Sequence, residues 1–273
     1  MTDPRFRRAL VALGLTTLAA CNDSTGNAGN GTLTLRITDA PIGNVESAKI
    51  WVSRSYLIGG SDENGGQITI SNEKAEYELL SLQNGVTAAL GSASIPVGTY
   101  SQLRLVVDSA KVTLVDGITF SDGSSTRVLK VPSGSQSGLK VNFAPVQITA
   151  GETVLVADFD VSRSFVFQGP RNAPNSVSFK PVIHATVQNV AASIAGTVTP
   201  AASESNVYAV SKVDGDTVAT AIADKVTGAY KLWFLPPGAY EVSAKATAVG
   251  STFTASKDVT VAASENATGV NLP

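Results

Sequence analysis

The chain is poor in the side chains that many enzymes and metal proteins use, with one cysteine, one histidine and one methionine in 273 residues. A lone cysteine excludes an internal disulfide bond and a cysteine-rich zinc site. A serine–histidine–aspartate triad would have to use His184, the only histidine. Charged residues make up 15% of the chain, against about 25% in a typical domain. The basic residues do not cluster, so nucleic acid is not an expected partner.

The N-terminus carries the features of a secreted, lipid-anchored protein. Three arginines lie within the first eight residues, and ten uncharged residues follow at 9–18. That stretch is too short to span a bilayer as a helix but is typical of a signal peptide. The next residues, Leu18-Ala19-Ala20-Cys21, resemble the lipobox of bacterial lipoprotein precursors. The resemblance implies a signal peptide at 1–20 and a lipidated Cys21; the alternative is an ordinary secretory signal.

Residues 21–30 comprise this cysteine and a polar segment rich in glycine and asparagine, which predicts a flexible tether. The membrane is therefore an expected partner, through the N-terminal lipid anchor. One acyl chain binds a bilayer only marginally, but two or three hold a protein firmly. Because Asn22 rather than aspartate follows the cysteine, the resemblance implies the outer membrane of a bacterial cell envelope.

After the tether, short segments alternate between apolar and polar residues. In residues 32–39, Leu33, Leu35 and Ile37 share one face, which is the pattern of a half-buried β-strand. The same alternation recurs along the chain, and clusters of glycine, asparagine, aspartate, serine and proline separate the segments. No segment has a sustained helical period, so the pattern predicts an all-β protein.

The alternating pattern restarts near residues 190–193, and seven short segments follow. This restart predicts two antiparallel β-sandwich domains in tandem, at residues 31–189 and 192–273. One motif, apolar-Pro-x-Gly-x-Tyr, occurs in both, at 95–100 and 235–240. We interpret it as the same turn chemistry used twice: a type II turn with its glycine at positive φ, followed by a tyrosine available for the core.

The first predicted domain resembles a family of bacterial lipoproteins known as domain of unknown function 4382. The resemblance depends on several motifs in order: LRITDAPI (35–42), YELLSLQNG (77–85), PVGTYSQLRL (96–105), VPSGSQSGLKV (131–141), VADFDVSRSFV (156–166) and FKPVI (179–183). It covers most of the chain after the tether. The family has no established activity, so the resemblance implies a kind of protein and a location rather than a reaction.

The second predicted domain resembles carboxypeptidase-regulatory-like domains, which are small prealbumin-type sandwiches. IAGTVTP (194–200), VTGAYKLWFLPPGAYEVSA (226–244) and the closing VTV and GVNL segments carry the resemblance. This fold is grouped with carbohydrate-binding-like sandwiches, which is an analogy of fold and only a weak argument for any activity.

Two carboxylates are candidates for chemistry. Asp158 and Asp160 alternate with apolar residues, so they project from one face of a predicted strand about 7 Å apart. Such a pair could bind a metal ion or serve as acid and base. The interpretation we prefer is ion pairing with basic residues of neighbouring strands, of which Arg36, Arg104 and Lys140 are the candidates.

Two further patterns are weak. Ser137 and Lys140 have the S-x-x-K spacing of serine acyl-enzymes, but that chemistry needs a helix and two further motifs, so we interpret the match as a coincidence. His184 lies opposite the apolar face of its segment. With no second histidine or available cysteine, it is expected to be a surface or inter-domain residue.

In the segment 228–235, Tyr230, Leu232 and Phe234 alternate with Lys231 and Trp233. The alternation predicts that the first three face the core and the other two face outward. An outward tryptophan could stack on a sugar ring or contact a partner protein. The interpretation we prefer is that Trp233 covers the junction between the two domains.

The sequence therefore predicts a lipid-anchored envelope protein that is not an enzyme and needs no cofactor. Its expected role is binding or structural, with a glycan or an envelope protein as partner and Trp233 and Lys231 as candidate contacts. The alternative is an envelope enzyme or metal-binding protein that uses Asp158 and Asp160.

Overall fold

The computed structural model describes residues 29–40, 43–59, 66–131, 137–201, 205–246 and 254–273. The predicted signal peptide and Cys21 lie outside the described residues, as does all of the predicted tether except its last two positions. We call residues 29–190 the first half and residues 191–273 the second half.

Strands dominate the first half, as the alternating pattern predicts. They are β1 Asn30–Ala40, β2 Val45–Gly59, β3 Gln67–Ser71, β4 Ala75–Glu78, β5 Ala88–Pro96, β6 Gly98–Leu114, β7 Thr126–Lys130, β8 Leu139–Ile148, β9 Glu152–Asp160, β10 Phe165–Gln168, β11 Ser176–Phe179 and β12 Ile183–Val187. Short helical turns interrupt them, among which are a 3-10 turn at Leu79–Leu82 and α1 at Val161–Ser164.

Two main sheets form the first half. One has the order β12-β9-β1-β5, and the other has the order β3-β2-β6-β7, with β4 also paired to β2 and β8 to β6. Because β12 lies beside β8 and β3 beside β5, the sheets face each other and meet along both sides. Between them lies one core, to which β1 contributes Leu33, Leu35 and Ile37 from a single face. This architecture confirms the all-β sandwich fold.

One strand pairing of the first half departs from the antiparallel prediction. β1 and β9 run parallel, with Thr38 in register with Asp158. The chain between β1 and β9 visits the opposite sheet, so β9 returns beside β1 in the same direction. Alternation along a strand shows which face is buried but not which strand lies beside it, and this is why the sequence pattern missed the pairing.

The second half also consists of strands. They are β13 Ala192–Thr197, β14 Ser205–Ser211, β15 Thr217–Ile222, β16 Ala229–Leu235, β17 Gly238–Ala246, β18 Thr254–Val261 and β19 Asn266–Ala267. They form one sheet of order β15-β14-β17-β18 and a smaller one of order β16-β13-β19. A separate hydrophobic cluster fills the space between these sheets. No helix among the residues described is long and apolar enough to cross a membrane.

Candidate functional site

A row of polar residues lies where the second half covers the first. On β9, the alternate residues Leu155, Ala157 and Phe159 enter the core. The alternation therefore turns Asp158 to the outer face of its sheet. There it forms one row with His184 of β12 and with Thr38 of β1, its register partners on either side.

Strands β15 and β16 of the second half close over this row. They enclose a cavity of about 10 Å³, which is the room that one water molecule needs. The lining residues come from both halves: Thr38, Asp39, Asn84, Gly85, Asp158, Ala219, Thr220, Ala221, Lys231, Trp233 and Phe234. The cavity is therefore a feature of the junction and does not belong to either half alone.

Trp233 lies at this junction, and its ring packs on Gly85 of the first half. A Cβ atom at Gly85 would lie 3.0 Å from the ring, so only glycine permits this approach. Gly85 and the preceding Asn84 both adopt positive φ, as a tight turn requires. The Nζ atom of Lys231 lies 3.6 Å from the centroid of the Trp233 ring. The ring thus has neighbours from both halves of the chain.

The expectation that Phe234 faces the core is wrong. Its backbone has φ of 53°, a conformation that side-chain-bearing residues rarely adopt. The pairing with β13 shifts at the same point, and Leu235 takes the core position with full burial. This irregularity turns Phe234 toward the junction cavity, beside Trp233. Strict alternation could not predict it, because a bulge changes the phase of a strand without a signal in the pattern.

The side chain of Asp158 is poorly compensated at the junction. As a residue it keeps some exposure, but its Oδ1 atom is shielded from solvent and has no hydrogen-bond partner among the described residues. Burial, and secondarily the negative charge of Asp160, raise the pKa of Asp158 from 3.8 to about 8. Desolvation penalises the charged form, so at neutral pH this carboxyl group is predominantly protonated.

Asp160 has a structural role that differs from that of Asp158. It is buried, and its Oδ1 atom accepts hydrogen bonds from Arg163 N at 3.0 Å and Ser162 Oγ at 2.6 Å. It therefore caps the N-terminus of α1. Close by, Asp39 accepts a hydrogen bond from the backbone amide of Val161 at 3.3 Å.

The expected ion pairs of these carboxylates do not form. None of the salt bridges found within the described ranges includes Asp158 or Asp160. Instead, Arg36 donates hydrogen bonds to Thr87, and Arg104 donates to the carbonyl groups of residues 137 and 138. Each arginine finds an oxygen acceptor near its own strand, while Asp158 faces the apolar and small residues of β15. The prediction that Asp158 and Asp160 form ion pairs is therefore wrong. Alternation shows which face of a strand a residue lies on, but not what covers that face.

His184 is also partly withdrawn from water, and its Nε2 atom has no hydrogen-bond partner in the described part of the chain. Burial lowers the pKa of His184, the positive charge of Arg163 lowers it further, and the carboxylates of Asp160, Asp216 and Asp214 oppose this shift. The nearby Arg163 donates from Nη1 to the carbonyl oxygen of Thr217 on β15 at 2.9 Å. This hydrogen bond links α1 directly to the second half.

The metal and acyl-enzyme interpretations find little support in the geometry. Across the described ranges, no three histidine, cysteine, aspartate or glutamate side chains are grouped so that they could hold a metal ion. Lys140 lies within β8, in register with Arg104 of β6. An S-x-x-K site needs its lysine one helical turn after the serine, and the spacing of Ser137 and Lys140 does not produce that arrangement here.

A larger groove lies beside the junction and has a volume of about 670 Å³. The first half contributes Asn84, and the second half contributes Ala195, Gly196, Ala221, Ile222, Ala223, Asp224, Lys225, Ala229, Tyr230 and Lys231. Most of these side chains are small, and the charged ones are Asp224, Lys225 and Lys231. The groove follows β15 and β16, each of which is the edge strand of its own sheet.

Sequence reasoning named Trp233, Lys231 and Asp158 but missed their neighbours Asn84, Gly85 and Thr220. Asn84-Gly85 carries a recognisable turn signal, but nothing in the sequence pairs that turn with a tryptophan about 150 positions later. Thr220 has no distinctive signal in an alternating strand. Its Oγ1 atom is buried without a hydrogen-bond partner among the described residues, in the lining of the same cavity as Asp158.

Comparison with known proteins finds a family and several solved structures that are similar to the chain. A family model with the description "Domain of unknown function (DUF4382)" matches residues 30–181. The Bacillus anthracis TIE protein aligns with 12% identity and a TM-score of 0.24, over 90% of this chain and 34% of that chain. The chain thus spans about a third of the length of that structure. No curated protein matches the chain.

Proposed function

The chain belongs to the DUF4382 family, and from that premise we propose that it is a lipid-anchored protein of the bacterial cell envelope whose role is to bind a partner without catalysis. The observation that carries the binding role is the groove of about 670 Å³ along β15 and β16. Ligand sites are common where two structural units meet, and this groove is lined by residues of both halves.

The anchoring part of the proposal is supported by the N-terminal sequence. A basic start, a ten-residue apolar stretch, small residues and a lone cysteine coincide at the point where a lipoprotein precursor is cleaved. Cleavage before Cys21 leaves the polar tether between the lipid and β1. The location that we propose is the outer membrane, because Asn22 follows the cysteine.

Replacing the cysteine tests the anchor. We expect Cys21→Ala to move the protein from the membrane fraction to the soluble fraction, or to leave it as an unprocessed precursor, because the acyl chains supply the membrane affinity. Fractionation and palmitate labelling measure the two effects. Thr16→Ala, within the apolar stretch, is the matched control and should remain labelled. A mature N-terminus other than residue 21 would contradict the proposal.

The groove favours an extended segment of a partner protein as its occupant. Strands β15 and β16 are edge strands, and a sheet edge offers backbone groups to which another strand can add. Small residues such as Ala221, Ala223 and Ala229 leave room for a backbone to approach. The carboxylate of Asp224 and the ammonium groups of Lys225 and Lys231 could select polar side chains at the rim.

A glycan is the second candidate, and it rests on the resemblance of the second half to carboxypeptidase-regulatory-like, prealbumin-type sandwiches. The second half has seven strands in two small sheets, and this arrangement supports the proposal that it is such a sandwich. Stacking of a sugar on Trp233 is less favoured, because the ring already packs against Gly85 and Lys231. A glycan would therefore have to bind through the polar rim of the groove.

The enzymatic alternative at Asp158 and Asp160 has one observation in its favour. A raised pKa is typical of functional carboxylates as well as of merely buried ones. However, the cavity beside Asp158 has room for about one water molecule, and Asp160 is engaged in capping α1. Both features favour a structural role for these residues over a catalytic one.

Site-specific crosslinking in cells tests the groove. A photoreactive phenylalanine derivative at Lys225, on the groove rim, should yield a discrete crosslinked product if a partner protein docks there. The same substitution at Val128, 70% exposed on β7, is the matched control and should yield none. Retention on purified envelope polysaccharide, lost in Lys231→Ala, would favour the glycan instead. Equal crosslinking at both positions, with no retention, would contradict a binding role for the groove.

A further inference from the structure

We propose that the junction between the halves is a proton-dependent clamp, which closes around the uncharged carboxyl group of Asp158 and loosens when that group ionises. The inference does not depend on the proposed function. It rests on where the second half packs: β15 and β16 cover the outer face of β9 at the position of Asp158. In the closed junction the Oδ1 atom of this carboxyl group is shielded from water.

Among the residues that the structure describes, no cation forms a salt bridge with Asp158 in the closed junction. Lys231 lines the same cavity, but its ammonium group lies over the Trp233 ring and forms no salt bridge with Asp158. Arg163 donates a hydrogen bond from its guanidinium group to the carbonyl oxygen of Thr217. The negative charge of Asp160, on the first-half side, further disfavours a charge on Asp158. A charge on Asp158 would thus be buried without a counter-ion, which is strongly unfavourable.

The direction of the pH dependence follows from the pKa of Asp158, which burial raises from 3.8 to about 8. Because closure raises this pKa, closing takes up a proton between those two values. The closure equilibrium should therefore weaken by about tenfold for each pH unit across that range. Above about pH 8 the carboxyl group is ionised in the closed form as well as in the open form. The closure equilibrium therefore no longer changes with pH.

His184 acts at lower pH than Asp158 does. Burial lowers the pKa of His184, so its contribution to closure is present above its ordinary value of 6.5 and is lost as the pH falls. Asp160, Asp214 and Asp216 face His184 and oppose this shift, while Arg163 reinforces it. Between about pH 6.5 and 8, Asp158 therefore dominates the pH response.

Loosening would also change the larger groove. Asn84, Ala221 and Lys231 line both the cavity and the groove. A movement of β15 and β16 away from the first half would separate Asn84 from the other two. The clamp thus couples the protonation of one buried carboxyl group to the shape of the groove along β15 and β16.

Trp233 serves as the reporter in the test. In the full chain with Trp51→Phe, which removes the second tryptophan, we expect acrylamide quenching of Trp233 to rise and the Tm to fall between pH 6.5 and 8.5. Adding Asp158→Asn, a neutral group of the same shape, should abolish the rise and remove the decrease in Tm over the same interval. Asp116→Asn, at an exposed turn position after β6, is the matched control and should retain both effects.

Several results would overturn the clamp. The first is that quenching and Tm respond to pH in the Asp158→Asn protein as they do in its parent. The second is that neither protein responds to pH. A third is a Tm that rises on adding calcium, because this would make the cavity a cation site with an ionised Asp158. If Asp158→Asn does not fold, carbon-13 NMR titration of the Asp158 carboxyl group in the parent protein decides. An ordinary aspartate pKa there would refute the proposal.

Discussion

Each half has a core between two packed sheets, but the two cores use different side chains. The first half buries large aromatic residues, among them Tyr100, Phe120, Phe159, Phe165 and Phe179. The second half buries two tyrosines and many alanines, namely Ala192, Ala209, Ala219, Ala221, Ala223 and Ala244. Small side chains bury little apolar area each. The second half therefore has more to gain from packing against its neighbour, and Trp233 and Phe234 lie on the side that does so.

One feature is shared by the halves in atomic detail. Tyr100 and Tyr240 are both buried, and each donates its hydroxyl group to the carbonyl oxygen of the proline four residues earlier, at 2.9 Å and 2.6 Å. The predicted positive φ of the intervening glycines is wrong, since neither Gly98 nor Gly238 adopts it. The hydrogen bond of the tyrosine, rather than a left-handed glycine, is the feature that the two turns share.

Truncating one large core residue should have the largest effect. Phe159 is fully buried, and its ring stacks on Phe179 with centroids 6.0 Å apart. We expect Phe159→Ala to lower the free energy of unfolding by about 3–5 kcal/mol, because it leaves a cavity. Ala209→Gly, in the core of the second half, should cost about 1 kcal/mol. Urea denaturation measures the free energy of unfolding of both variants. Similar decreases in the two variants would contradict the contrast between the cores.

The junction should show an intermediate effect. Trp233→Ala should lower the stability of the two-half protein by about 1–3 kcal/mol through lost apolar burial. The reason is that the ring packs on Gly85 of the first half. Residues 192–273 alone should hardly change on the same substitution, and Trp233→Phe should restore part of the loss. Thermal unfolding checks all three, and equal losses with and without the first half would show that the ring supports only its own half.

The shared tyrosine contact should give the smallest effect. Tyr100→Phe and Tyr240→Phe each remove one hydroxyl group, and each should cost about 0.5–1.5 kcal/mol. Because the two residues lie in separate cores, the double substitution should be additive within about 0.5 kcal/mol. Denaturation of the two single variants and the double variant tests this. A cost in one half alone would show that the two turns only look alike.

Much of the strand content could be predicted from alternation. Predicted strands such as 32–39 and 153–161 overlap β1 and β9, and the restart near residue 190 coincides with the point where one hydrophobic cluster ends and the other begins. Independent folding of the two halves stays a prediction. Of the candidate site residues, Trp233 and Asp158 were singled out correctly as outward positions on their strands. Phe234 was missed, because a bulge reversed its face.

The amino-acid sequence by itself determined which residues alternate into the cores, because burial of apolar side chains on a pleated strand has a period of two. It also contains Leu18-Ala19-Ala20-Cys21, a short local segment that resembles a lipobox. Only the tertiary structure decided what covers the outer face of β9. The same outward aspartate would be an ordinary solvated charge on an open sheet, and it becomes a group with a pKa of about 8 because β15 and β16 of a distant segment close over it and exclude water.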